Sequence, residues 1–439
     1  MATPFSIRVS PANTGLWAAR QDEASSAKVS ELLQKDLERH HCFFNLDGFH
    51  NHISHHLLSL YGTGSDPRAL EQAYDANASY QNHVKEPRDK VVRELRQDWA
   101  NASKYLSKGQ YYSDFLRFFQ LEIQDKGWQE VLAEYVFKGD ASSHDMMARL
   151  YAGFLHPMIQ LMYGVEWEQP AIVAEGLAQA AVHANKLGDL LAQTDAAAPA
   201  TAAPSRSIFE LYDVVRNNEK LARSARWEDP NRLYDGVMKR ALEEAVAVAS
   251  QVKVLPEELE ERTVEMFHTA AWVAAAAALH PPYIPKFDFF LIHHLNAAPI
   301  FLSFNKQAWI SQDMKIRLLE WKIRTDLLQY VARGCPPLQT ERIRQYKPRD
   351  EKLVSRPEEL LPRFHAIPDD GHTIKVVRAL LIAQQLSLRY IGRPWVQITD
   401  DDMWLKIHYI LLDSVEGYED RWVRSAGFEE AWEGIPTAH

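Results

Sequence analysis

A chain of 439 residues with 46% hydrophobic and 11% aromatic side chains can build a large core, and its formal charge of −10, spread without a basic stripe or polybasic tail, argues against nucleic acid and anionic membrane surfaces as partners. Two cysteines, Cys42 and Cys335, cannot make a disulfide framework and point to a reducing compartment. The first twenty residues hold no apolar run of signal-peptide length, and the most apolar stretch, Thr269 to His280, is shorter than the ~20 residues a bilayer span needs. The expectation is a soluble cytoplasmic protein.

The hydrophobic period is helical almost throughout and β-alternation is absent, which predicts an all-α fold. In chain order, Asn45 or Asp47 is expected to cap an opening helix that runs to about Tyr61, with Gly62 in the left-handed position after it. Ser65 or Asp66 caps the next, with Pro67 at its first position. Long helices are predicted over 170–191, 231–252 and 256–280. Another starts on the Ser311 cap and stops at Gly334 and two prolines, and a last one begins at Asp369 and Asp370. The Ala/Pro/Ser/Thr-rich stretch 192–207 has no apolar stripe and reads as a flexible loop. It is taken as an insertion in one domain, 1–439, because candidate ligands lie on both sides of it.

Histidines carry the chemistry. Six of the 18 fall between His40 and His56. On a helix His52, His55 and His56 share a face while His50 points away. Neutral imidazole is a good ligand for iron, zinc, copper or nickel. His156 sits in an apolar segment beside Pro157, which predicts a kinked helix aiming the imidazole inward. His293 and His294 lie among phenylalanines, where an imidazole is costly unless partnered. Adjacent residues diverge by about 100°, so only one of the two faces any one site. His372 and Lys375 share the first turns of an apolar helix, with Asp369 or Asp370 available to pair the lysine. A desolvated lysine can instead lose its proton, add carbon dioxide and present a carbamate.

Other chemistries lack their motifs: there is no Walker sequence, GxSxG elbow, CxxC or dinucleotide fingerprint. Glu265–His268 is a lone ExxH, and a carboxylate-bridged di-iron bundle needs two. His144–Asp145 leaves an HD-type metallohydrolase as one rival reading. A non-catalytic helical binding protein is the other.

Taken in order, "FHNHISHHLLSLYGTG", "YSDFLRFFQLEI", "FLHPMIQLMYGVEW", "FDFFLIHHLNAAPIFL" and "DDGHTIKVVRAL" resemble the blocks of the questin oxidase-like family of fungal polyketide enzymes, from Phe49 to Leu380. The resemblance implies an all-α oxygenase with ligands drawn from several helices, cleaving a carbon–carbon bond of an anthraquinone or its hydroquinone with dioxygen. It implies Fe(II) held by His56, His156, His293, His372 and a carboxylated Lys375, with NADPH acting either here or on a partner reductase. His52 and His55 are the alternatives to His56. Gln160 stands where the family pattern suggests a further histidine. Phe115, Phe118, Phe119 and Tyr163 are candidates to wall a flat substrate.

Overall fold

The computed structural model describes residues 1–43, 49–198 and 206–438. The fold is all-α: helices follow one another along the whole chain, and the described strands are two dipeptides, Phe287–Asp288 and Trp422–Val423, paired in parallel. No described helix is long and apolar enough to cross a membrane. The described residues group into two compact units, each assembled from three separate stretches. The first comprises 1–188, 299–314 and 368–378; the second comprises 189–298, 315–367 and 379–439.

In the first unit the helices His156–Glu166 and Pro170–Val182 form the central layer. Glycine sets their spacing. A Cβ added at Gly164 would lie 2.6 Å from the Val173 nitrogen, and one at Gly176 would lie 2.7 Å from the Leu161 nitrogen. Backbones this close leave almost every side chain of both helices buried. The helix Ile53–Gly62 is buried along its entire length. Asp66 caps the following helix as expected, accepting from the Ala69 N–H at 2.8 Å, with Pro67 in its first turn.

Several boundaries differ from the sequence expectation. The opening helix starts at Ile53, so His50 and His52 precede it; Asn45 and Asp47 lie outside the described residues. Gly62 is helical, and the left-handed residue is Gly64 at φ +82°. His156 does not sit on a kink. It opens its helix after three left-handed residues, Gly153, Phe154 and Leu155, and Pro157 occupies the first turn, where no backbone N–H is needed. The predicted 170–191 helix stops at Val182 and resumes at Gly188, running to Ala197. Thus the first part of the supposed flexible stretch is helical, because Thr194 is buried and Asp195 pairs with Arg324; 199–205 lie outside the described residues. The 231–252 stretch is interrupted at Ala241, whose backbone leaves the helical region.

The start of the helix His372–Ser387 is fixed in the first unit by an ion pair between Arg378 and Glu166, each side chain 2% exposed. Glu166 also accepts the Leu16 N–H at 2.7 Å, tying in the N-terminal segment. Replacing Arg378 with methionine would leave Glu166 buried without its cation. Chemical denaturation should show a loss of about 3–5 kcal/mol, the usual cost of breaking a buried pair.

Candidate metal centre

Seven histidines of the first unit, His50, His52, His55, His56, His156, His183 and His372, are all buried. Asp370 joins two of them. Its Oδ2 accepts from His52 Nδ1 at 2.9 Å and its Oδ1 accepts from His372 Nδ1 at 2.5 Å. Burial opposes its ionisation, yet His372 and His52 hold its carboxyl well below the ordinary range. A carboxylate only accepts, so both imidazoles carry their proton on Nδ1 and present Nε2 as an electron-pair donor. The two rings stand 4.8 Å apart at 81°. Donor atoms of His52, Asp370 and His372 all lie within 4.8 Å of one another.

His156 is oriented by a backbone acceptor. Its Nδ1 donates to the Gly153 carbonyl at 2.6 Å, a contact made possible by the left-handed turn just before the helix. Its Nε2, the lone-pair position of the neutral ring, faces His52 Nε2 at 2.8 Å. Burial, assisted by Lys375, lowers the His52 pKa to about 4, so near neutral pH His52 carries no proton on the nitrogen that faces His156. Two lone pairs at this distance repel unless a Lewis acid lies between them. The donor set fits a divalent transition metal such as iron, zinc or copper.

His55 donates from Nε2 to Gln160, which also accepts from Ser54 Oγ at 3.0 Å and donates to Glu175 at 2.7 Å. Burial, then Asp36, pushes Glu175 up to about 8, so this end of the network is a neutral acid at pH 7. The Nδ1 atoms of His55 and His56 have no hydrogen-bond partner among the described residues. Gly371 packs directly on His56: at φ +92°, its added Cβ would come within 2.6 Å of His56 Cβ.

Lys375 is 3% exposed, and burial lowers its pKa to about 8 against the pull of Asp370 and Asp369. The two expected acidic partners are committed elsewhere. Asp369 accepts the N–H groups of Gly371 and Thr373 at 2.7 and 2.8 Å, and Asp370 holds the two histidines. Lys375 forms no ion pair among the described residues.

Of the sequence candidates, His56, His156, His372 and Lys375 come together in the first unit, with His52 and His55 beside them. His293 belongs to the second unit, where its Nδ1 donates to the Phe289 carbonyl at 2.5 Å. His294 there donates to Asp326, whose carboxylate also receives Lys322 at 2.6 Å. Sequence reasoning missed His183 and misplaced His50. The His50 ring stacks on His156 at 4.1 Å, and its Nε2 lies 3.0 Å from His183 Nε2. No helical spacing marks either residue, because both lie outside helices. Of the proposed substrate-wall aromatics, Tyr163 stacks on His55 at 5.6 Å, while Phe115, Phe118 and Phe119 pack on Trp99.

The rival motifs are occupied structurally. Asp145 accepts from Arg149 at 2.6 Å and Asn185 at 2.8 Å. Glu265 accepts from Arg262 and the Ile208 N–H, and His268 is satisfied by Ser387 and the N–H groups of Gln397 and Ile398.

Residues 49–380 match the questin oxidase-like family model. The chain belongs to the questin oxidase-like family. Like its relatives it is an oxidoreductase. Oxidoreductase AflY of Aspergillus parasiticus is 34% identical over 99% of this chain and 94% of its own. A questin oxidase of Aspergillus fumigatus is 34% identical over the full length of both. Baeyer-Villiger oxidase notM of an Aspergillus species is 33% identical over 98% of each. Within this questin oxidase-like chain, the matched span contains all seven clustered histidines, Asp370 and Lys375.

Two substitutions test the geometry. Asp370→Asn can no longer accept from both imidazoles, so divalent-metal affinity measured by calorimetry should fall roughly 10–100-fold, the usual effect of losing such an orienting carboxylate. Gly371→Ala forces a side chain into a left-handed residue against His56. Thermal unfolding should report a loss of about 1–3 kcal/mol, with weaker metal binding as His372 is displaced.

Proposed function

We propose that this protein is a non-haem iron oxygenase that opens an anthraquinone-type ring of an aromatic polyketide. The observation that carries the metal is the confrontation of His52 Nε2 and His156 Nε2 at 2.8 Å, each ring turned by an acceptor on its Nδ1. His52, His156 and His372 would hold the ion. His52 is preferred over His55 and His56 because it alone of the three is oriented by Asp370. The substrate class and the oxidation rest on the relatives, named questin oxidase and Baeyer-Villiger oxidase.

Iron held there would supply the one-electron chemistry that lets dioxygen react with a closed-shell aromatic. The chain's own groups do the rest. Asp370 fixes two ring tautomers at once, and the Gly153 carbonyl fixes a third. Lys375, with a pKa of about 8, leaves roughly a tenth of its amine unprotonated at pH 7. That amine can attack carbon dioxide, forming an N–C bond and releasing one proton to solvent, and so bring one negative charge to an otherwise imidazole donor set. Tyr163, bonded to Ser59 Oγ at 2.6 Å, stacks on His55 and holds that ring in place beside the other histidines. Insertion of one oxygen atom beside a ring carbonyl consumes two electrons beyond those of the substrate. NADPH would provide them, either on this protein or through a partner reductase that delivers the hydroquinone.

Chelator treatment should abolish oxygen uptake with anthraquinones or their hydroquinones, and Fe(II) should restore it where Zn(II), which has no redox chemistry, does not. Activity in the metal-free protein would refute the metal role. Lys375→Ala should bind iron more weakly and lose turnover, and added bicarbonate should speed reconstitution of the wild type but not of the variant. Identical reconstitution of the two would remove Lys375 from the site.

A further inference from the structure

The second unit contains basic side chains that the reaction above does not use. Arg333, just after the helix Gln312–Ala332, is 3% exposed, yet it forms no ion pair and its Nε has no acceptor among the described residues. Its guanidinium lies over the Phe290 ring at 4.0 Å from the centroid. Arg232 is near enough to repel it. Arg232 stacks on Trp227 at 4.4 Å and Phe428 at 5.4 Å, gives one N–H to the Trp227 carbonyl at 2.5 Å, and likewise leaves Nε unpartnered. Arg424 lies over Phe289 at 5.0 Å, and Phe289 adjoins Phe290.

The nearby acid, Asp288, is already committed. Its Oδ1 accepts the N–H groups of Phe290 and Leu291, and its Oδ2 accepts those of Ser425 and Ala426, all within 3.1 Å. A second unsatisfied group stands in the same place. Ser425 is completely buried at φ +79°, with no partner for Oγ among the described residues, in the segment whose Gly427 N–H bonds the Arg333 carbonyl at 2.9 Å. A buried guanidinium with no direct ion pair is expensive: Asp288 acts on Arg333 and Arg232 only across a distance, which leaves the Arg333 fork without a direct acceptor and suited to an anion that arrives from outside.

We propose that Arg232, Arg333 and Ser425 form a site for a phosphate group, either free or carried on a nucleotide. Two N–H forks plus a hydroxyl suit a tetrahedral oxyanion better than a planar carboxylate. Arg424 would add long-range attraction at the rim. The proposal does not depend on the metal reading.

Calorimetric titration of the full chain with inorganic phosphate, NADPH and NADH, in a buffer free of other oxyanions, tests it. At least one phosphate-bearing probe should bind the wild type. Affinity should fall roughly tenfold or more in Arg333→Gln and measurably in Ser425→Ala, as expected when charged and neutral hydrogen bonds to an anion are lost. Without phosphate, Arg333→Gln should melt no lower than the wild type, since it removes an unpaired buried charge; a purely structural arginine would give a lower melting temperature. NADPH binding more tightly than NADH would place the phosphate on a nucleotide, and inorganic phosphate binding alone would identify a free ion. Should Arg333→Gln not fold, Arg232→Gln takes its place. The proposal is overturned if no probe binds the wild type, or if binding is the same in the variants.

Discussion

Two unprotonated imidazole nitrogens cannot rest 2.8 Å apart in a buried site without a positive species between them, and the first unit is arranged around that constraint. His52 reaches its position from the residue just before a helix, and His156 from the first residue of another. Each is turned by an acceptor on its far nitrogen: a carboxylate for one, a backbone carbonyl for the other. That carbonyl is aimed by consecutive left-handed residues, a backbone state a folded chain keeps only where its surroundings enforce it. The close glycine contacts of the two central helices hold the whole assembly steady.

The same side chain does different work according to what its far atoms meet. His268 is as deeply buried as His52, but both of its nitrogens have ordinary partners: the Ser387 hydroxyl on one side and two backbone N–H groups on the other. Nothing is left for a ligand. His52 faces another acceptor, and that mismatch distinguishes a candidate metal ligand from a satisfied core residue.

Arginine repeats the contrast in the second unit. Arg324, 1% exposed at its side chain, is answered by Glu320 and Asp195 and needs no further anion. Arg333, nearly as buried, lies over a benzene ring, with Asp288 attracting it only across a distance and Arg232 opposing. A ring face recovers only part of what desolvation of a guanidinium costs. In both units the unsatisfied group carries more functional information than the residue type.

The sequence by itself determined the all-α class, most helix ends and the family, because hydrophobic period, caps and ordered blocks are local properties. Pro67 after Asp66 and Gly334 before two prolines are examples. It also picked out His156, His372 and Lys375, each conspicuous as a polar residue in an apolar helix. Only the tertiary structure decided that His50 and His183 join the cluster, since they come from irregular segments 133 residues apart. Likewise, only it could assign Asp370 to two histidines rather than to Lys375. A helical wheel ranks neighbours along one helix, whereas His52 lies 318 residues from Asp370. Tautomers, bare lone pairs and unpaired charges depend on which distant group a side chain finally meets, and that is fixed only when the chain has packed.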